Sequence, residues 1–250
     1  MDLQLKGRTA LVTGASSGIG RAIAATLAAE GARLAVVARR RELLESLGKE
    51  IVAAGGIAPA IIVADVLAPD SPARIRDEAT AALGAIDILV NCAGASRPLP
   101  VEAPDAAWDE AMTLNFTRVR QLTHLLLPQM RAHRYGRIIN ITGKSEPDRL
   151  NAAFAAKAGI HAWSKGLSKA IGKEGITINC VAPGRIMSEQ IRRLYPEPER
   201  QALSDTEIAV GRYGEPEDVA LMVALLASPL AAYYTGIVVP VDGGLRRYQF

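Results

Sequence analysis

Thr13-Gly14-Ala15-Ser16-Ser17-Gly18-Ile19-Gly20 follows the apolar run Thr9-Ala10-Leu11-Val12 and precedes a helical pattern carried by Ile23, Leu27 and Ala28. A strand, a glycine turn and a helix in that order make a dinucleotide cradle. Glycine lets the backbone turn tightly and approach a pyrophosphate, and the helix N-terminus offers unpaired N–H groups and a positive dipole end. The spacing is GxxxGxG rather than GxGxxG, and taken alone it is also compatible with a flexible turn. What surrounds it decides.

Outward from the cradle, the pattern predicts a strand over 8–13, a helix over 18–30 closed by Gly31, and an apolar strand over 34–38, which together complete a βαβ unit. At the tip of that second strand, where an NAD site usually places a carboxylate on the ribose 2′-hydroxyl, stand Arg39, Arg40 and Arg41. They open a helix predicted over 42–53, where the dipole disfavours cations, and binding a 2′-phosphate removes that oddity. The expectation is therefore NADP(H) over NAD(H), with Arg39 the foremost contact and Arg40 next.

The alternation continues with strands over 60–64, 86–90, 136–142, 176–181 and 237–241 and helices over 69–83, 105–134, 151–172 and 215–227. Strands apolar on both faces, alternating with helices, mean a parallel sheet covered by helices. No linker or repeat interrupts the 250 residues, so one α/β domain is expected, with a charge- and proline-rich lid at about 185–210. Forty-nine per cent apolar residues suffice for a core, and a net charge of +3 is too small to imply nucleic acid. Cys92 and Cys180 stand apart without a CxxC or His/Cys spacing, so no disulfide framework and no metal site is expected. No leader pattern and no run of roughly 18 apolar residues is present, which points to a cytoplasmic chain that neither spans nor binds a membrane.

Several motifs fall together at one spacing: TGxxxGxG at 13–20, Asp65, Asn91-Cys92-Ala93-Gly94, Asn115, Pro183-Gly184, the 212–218 run Arg-Tyr-Gly-Glu-Pro-Glu-Asp, and Asp242-Gly243-Gly244. In these the chain resembles the short-chain dehydrogenase/reductases over nearly its whole length. The resemblance implies a Rossmann-like, doubly wound parallel sheet of about seven strands flanked by helices, with a nicotinamide dinucleotide across the strand ends. It places the dinucleotide on Gly14, Ser16, Ser17, Gly18, Ile19 and Gly20, adenine beside Asp65 and Val66, ribose on Asn91 and Lys157, and further contacts at Ala93, Gly94, Pro183 and Gly184. The nicotinamide amide is placed near Ile186 and Ser188. It also implies a homodimer or homotetramer through the helices over 105–134 and 151–172, where Ala152, Ala153, Ala155, Ala156, Ala158 and Gly159 permit close approach.

The catalytic set departs from the family pattern. Family members hold the substrate carbonyl with a Ser after the fifth strand and protonate it with a Tyr four residues before a Lys. Here Lys157 and Asn115 are present, but Ala153 stands at the Tyr position and Gly143 at the Ser position. Ser145 as carbonyl partner and Lys144 as proton donor form one repair, set against a merely solvated loop of Lys144, Ser145, Glu146, Asp148 and Arg149. Tyr195 is expected as a pocket wall and His161 as packing, each with a catalytic alternative. Three functions stay open: an NADP(H)-dependent oxidoreductase on a small carbonyl or alcohol substrate with an altered proton route, a lyase or isomerase on the same scaffold, and a non-catalytic NADP-binding subunit. Arg97, Arg149, Arg192 and Arg193 would suit an anionic substrate group, as well as plain solvation.

Overall fold

The computed structural model describes residues 1–143, 149–188, 191–192 and 195–245. Strands β1 (Thr9–Thr13), β2 (Arg33–Ala38), β3 (Ala60–Val63), β4 (Ile88–Asn91), β5 (Gly136–Ile141), β6 (Ile176–Pro183) and β7 (Val238–Val241) form one sheet in the order β3-β2-β1-β4-β5-β6-β7. Every pairing is parallel. This is the doubly wound α/β sheet the alternation predicts.

Because successive strand residues point to opposite faces, the sheet feeds two cores. Ala10, Val12, Val36 and Val90 pack on one side with Ile23 and Leu27 of α1 (Gly18–Ala29), Leu44 and Leu47 of α2 (Arg41–Ala53), and Val219 and Val223 of α8 (Pro216–Ala227). Leu11, Val37, Leu89 and Ile138 pack on the other with Ile75 of α3 (Ser71–Leu83), Leu126 of α5 (Arg118–His133) and Ile171 of α6 (Ala152–Ile171). All of these side chains are essentially removed from water. The order reverses between β1 and β4, and in such sheets the crevice at the carboxyl ends of the strands at that reversal is where ligands lie.

One expected element is different. The helix anticipated over 105–134 is α4 (Asp105–Met112), a π-helical turn (Thr113–Thr117) and α5. The apolar period reads straight through, since Ala111, Leu122 and Leu126 are all buried, and the extra residue accommodated by the turn leaves no mark on it. Asn115 sits inside this turn. A further helix, α7 (Glu197–Glu207), lies within the 185–210 stretch. Among the described residues no helix is long and apolar enough to cross a membrane, and no group of three or more His, Cys, Asp or Glu is placed to hold a metal ion.

Candidate active site

A cleft of about 820 Å³ runs along the carboxyl ends of the strands. Its first half is made of backbone. Gly14 turns with φ +72° where any Cβ would stand 2.9 Å from Ala93 Cα, and a Cβ on Gly20 would overlap the Gly14 carbonyl. These contacts seat α1 directly behind the turn. Ser17, its N-cap, makes no side-chain cap, so the first-turn N–H groups of Gly18, Ile19 and Gly20, all lining the cleft, have no partner within the helix. Thr13 Oγ1 accepts from the N–H groups of Cys92 and Ala93 at 3.0 and 3.1 Å, locking the end of β4 against the end of β1.

Beyond this turn the cleft becomes basic. Arg40 stands at the N-cap position of α2 and reaches back to Ser16 and Ser17 Oγ at 3.4 and 3.3 Å, while Arg39 faces Asp65 at 4.0 Å with both side chains exposed. Asp65 Oδ1 also accepts from Leu67 N at 3.0 Å, which shapes the turn after β3 beside Val66. Arg39, Arg40, Asp65 and Val66 all line the cleft. An anion near Arg39 and Arg40 would thus meet two guanidinium groups.

The second half is made of side chains. Lys157, on the second turn of α6, donates from Nζ to the Thr142 carbonyl at 2.9 Å. Burial pushes its pKa below the ordinary value, partly opposed by the neighbouring Cys92. Burial pushes the Cys92 thiol up to about 12, Lys157 opposing, so Cys92 is a neutral wall of the cleft. Ala153, one turn before Lys157, is buried and presents only a methyl group. A Cβ added to Gly143 would stand 3.8 Å from Lys157 Cδ, so that position has room for a side chain. Gly94 has none, because a Cβ there would lie 2.9 Å from Asn115 Oδ1 and 3.8 Å from Lys157 Nζ.

Of the residues expected from the sequence, the glycine turn with Ser16, Ser17 and Ile19, both arginines, Asp65, Val66, Ala93, Gly94, Lys157, Pro183, Gly184, Ile186 and Ser188 line the cleft. Two do not. Asn91 points to the α5 face of the sheet, buried, and gives its amide to Thr123 Oγ1 at 3.2 Å and Asn140 Oδ1 at 2.9 Å. Strand alternation turns it away and presents Cys92 instead, so its side chain ties β4 to β5 rather than touching a ribose. Asn115 is buried as well, donating to the carbonyls of Ala111 at 3.0 Å and Ala95 at 3.3 Å and accepting from Ala95 N at 3.3 Å. It clamps the loop after β4 from beneath, a positioning place rather than a catalytic one. Ser188 spends its hydroxyl oxygen on Ile191 N at 3.1 Å.

Lys144 and Ser145, with Glu146 and Asp148, lie outside the described residues, as does Arg193. Tyr195 forms part of the cleft wall, as do Arg97 and Arg149, whereas Arg192 does not line it. Thr142, directly before Gly143, holds Lys157 through its main-chain carbonyl, a role that the family pattern does not assign. Its hydroxyl donates to the Val181 carbonyl at 3.1 Å and meets His161 Nε2 at 2.8 Å, so His161 is hydrogen-bonded to the residue whose carbonyl holds Lys157.

The arrangement matches known proteins over its whole length. The family model described as enoyl-(acyl carrier protein) reductase matches residues 14–246. Nodulation protein G of Rhizobium sp. (strain N33) is 40% identical over 247 residues, covering 97% of this chain and 98% of that one. The 3-oxoacyl-(acyl-carrier-protein) reductase FabG of Pseudomonas aeruginosa is 39% identical over 248 residues, with 97% and 99% covered. Among solved structures, L-sorbose reductase from Gluconobacter frateurii, complexed with NADPH and L-sorbose, superposes with a TM-score of 0.93 at 28% identity, covering all of both chains. A 7α-hydroxysteroid dehydrogenase complexed with NADH and 7-oxo glycochenodeoxycholic acid gives 0.91 at 30% identity, with 97% and 96% covered. The chain belongs to the short-chain dehydrogenase/reductase family.

Proposed function

We propose that this protein is an NADP(H)-dependent oxidoreductase that interconverts a small carbonyl compound and its alcohol, with Lys157 as the group that moves the proton. One observation carries the reading: a glycine-built phosphate cradle with two arginines at its far end shares a single cleft with a half-buried lysine ammonium. NADP(H) is the dinucleotide of several structural neighbours, L-sorbose reductase among them, against NADH in the hydroxysteroid dehydrogenase, and Arg39 and Arg40 suit its 2′-phosphate where a carboxylate would suit a 2′-hydroxyl. The N–H groups of Gly18, Ile19 and Gly20 would hold the pyrophosphate, Asp65 and Val66 would border the adenine, and Lys157 would meet the ribose. When bound, NADP(H) supplies or accepts the hydride.

The remaining chemistry belongs to the chain. A Tyr at position 153 and a Ser at position 143 are what the family resemblance implies, and this chain has neither hydroxyl. The methyl group of Ala153 leaves the ammonium as the acid beside the reacting carbonyl. Burial makes Nζ a stronger acid than a solvated lysine. During reduction one N–H bond of Lys157 breaks, the proton goes to the carbonyl oxygen, and the neutral amine is reprotonated from water. The Thr142 carbonyl keeps Nζ in place throughout. The same reading takes the chain as one domain, with the 185–210 stretch as a lid whose Ile191 and Tyr195 wall the cleft. It also takes the protein as a homodimer or homotetramer through the 105–134 stretch of α4 and α5 and through α6, on which Ala155 and Ala158 are exposed.

The test is single-turnover transfer from 4-deuterated NADPH to a panel of aldehydes and ketones, read by absorbance and product mass. Deuterium in an alcohol product, lost in Lys157→Ala, is the expected result. NADPH binding with no deuterium transferred, both in the native chain and after Gly143→Ser with Ala153→Tyr, would instead favour a lyase, an isomerase or a silent subunit.

A further inference from the structure

The loop that follows β3 borders the cleft, and Asp65, Val66 and Leu67 all line it. Much of its bonding is internal. Asp65 Oδ1 accepts from Leu67 N at 3.0 Å, the Asp65 carbonyl accepts from Ala68 N at 3.1 Å, and the Val66 carbonyl accepts from Ser71 Oγ at 2.9 Å. One bond comes from a distant part of the chain. Arg118, the first residue of α5, donates from Nη2 to the Leu67 carbonyl at 2.9 Å, across a sequence separation of 51 residues. Among the described residues, no other hydrogen bond to the main chain of 65–67 comes from beyond Ser71.

The Arg118 guanidinium is held in this place. Its Nη1 donates to Gln121 Oε1 at 2.7 Å, one turn along the helix, and its Nε–H is buried with no hydrogen-bond partner among the described residues. An arginine serving solubility alone would turn that N–H to water, since leaving it dry carries a desolvation cost. Arg118 does not itself line the cleft. It acts from behind the loop, where Val66 packs against the same core as Leu122 and Leu126 of α5. Three residues earlier, Asn115 clamps the loop at Ala95, so one short stretch of chain supports two loops of the cleft.

We infer that Arg118 is a positioning residue for the base of the dinucleotide: by pinning the Leu67 carbonyl it sets the 65–67 loop so that the cleft selects adenine. This rests on the NADP(H) reading, with the base beside Asp65 and Val66, and on no catalytic step. Adenine carries an exocyclic amino group, which donates, whereas hypoxanthine carries an oxo group in its place, which accepts. A carboxylate only accepts, so Asp65 beside the base favours adenine and opposes hypoxanthine. The selection holds only while the loop keeps its place, because a hydrogen bond weakens steeply as its angle departs from ideal. The bond from Leu67 N to Asp65 Oδ1 ties the carboxylate to the residue whose carbonyl Arg118 holds.

The experiment titrates the full chain with NADPH and with its hypoxanthine analogue, deamino-NADPH, read by nucleotide fluorescence so that no turnover is needed. The native chain should bind NADPH about tenfold more tightly, the effect of one hydrogen bond made against one opposed. Arg118→Met keeps the apolar stem and loses every donor. It should bring the ratio toward one, chiefly by weakening NADPH, with the melting temperature nearly unchanged. Arg118→Lys, which restores a donor, should recover part of the ratio. Should Arg118→Met fail to fold, Arg118→Gln, shorter but polar, carries the same expectation. Hydrogen exchange without nucleotide should show the amides of 64–68 opening faster in the variant while those of 122–133 keep their protection. A ratio unchanged by loss of the arginine overturns the inference, even where both nucleotides bind more weakly. A native chain that binds the two nucleotides equally also overturns it, and in both cases the NADP(H) reading stands. A native chain that binds neither removes that reading and the inference with it.

Discussion

At the dinucleotide end of the cleft the contacts are main-chain groups placed by glycine, whereas at the reaction end they are side chains placed by α6 and two loops. Gly14, Gly20 and Gly94 act by lacking a Cβ; Lys157, Arg97 and Arg149 act by what they carry. A backbone-built site offers the same N–H groups whatever the neighbouring side chains become, so its constraints fall on a few positions. A side-chain site can change its chemistry by single replacements.

The most severe way to probe that contrast is Lys157→Met, which removes the charge at similar length. Loss of a general acid costs roughly 10²- to 10⁴-fold, and we expect a drop of that order in the single-turnover rate with the protein still folded. The pH profile of the native chain carries the matching signature. Lys157 works as an acid only when protonated, and burial lowers its pKa from the ordinary 10.5. Reduction should therefore be flat at low pH and fall as pH rises through the lowered value, while alcohol oxidation, which needs the free amine, should rise through it. A reduction rate that stays level to the ordinary lysine range would remove Lys157 from the proton path.

Adding hydroxyls tests the same end from the other direction. Gly143→Ser with Ala153→Tyr should raise carbonyl reduction by about 10²-fold, within the range a positioned acid contributes, because position 143 has open space toward Lys157. No gain at unchanged NADPH affinity would mean that the pocket no longer admits a carbonyl there.

At the dinucleotide end Gly14→Ala should act through shape alone. A residue with a Cβ must adopt φ +72° and stand 2.9 Å from Ala93, a strain of about 1–3 kcal/mol. For a chain of this size that corresponds to a melting temperature lower by about 2–10 °C, accompanied by weaker NADPH binding in a fluorescence titration. The smallest change expected is selective: Arg39→Ala with Arg40→Ala should cut the preference for NADPH over NADH by about tenfold while leaving NADH binding nearly as it was. If both cofactors weakened equally, the arginines would be shaping the turn rather than reading the 2′-phosphate.

The same contrast explains what could be read from the sequence. Glycine spacing and apolar strands are local signals that mark the sheet and the cradle, whereas Asp65, Val66, Lys157, Pro183, Ile186 and Ser188 are placed by the family resemblance. Asn91 and Asn115 were read from their place in a motif, and motif position carries no information about which way a side chain turns. Strand alternation buries the first and a π-helical turn buries the second. The hold of Thr142 on Lys157 uses a main-chain carbonyl, a group every residue possesses, so no residue type announces it. Arg149 and Arg192 were equal candidates as arginines, and only the folded chain separates the one that lines the cleft from the one that does not.

The π-helical turn at Thr113–Thr117 sets local comfort against the site. Excising one of its five residues would let α4 and α5 share a single 3.6-residue register and complete their regular ladder of hydrogen bonds. The same excision would swing everything ahead of it by about 100° around the helix axis. Asn115 would then leave the loop at Ala95 without its clamp. A shortened chain of this kind would be a better helix around a worse cleft: the length of this segment, together with the Asn115 side chain, is what holds the loop at Ala95.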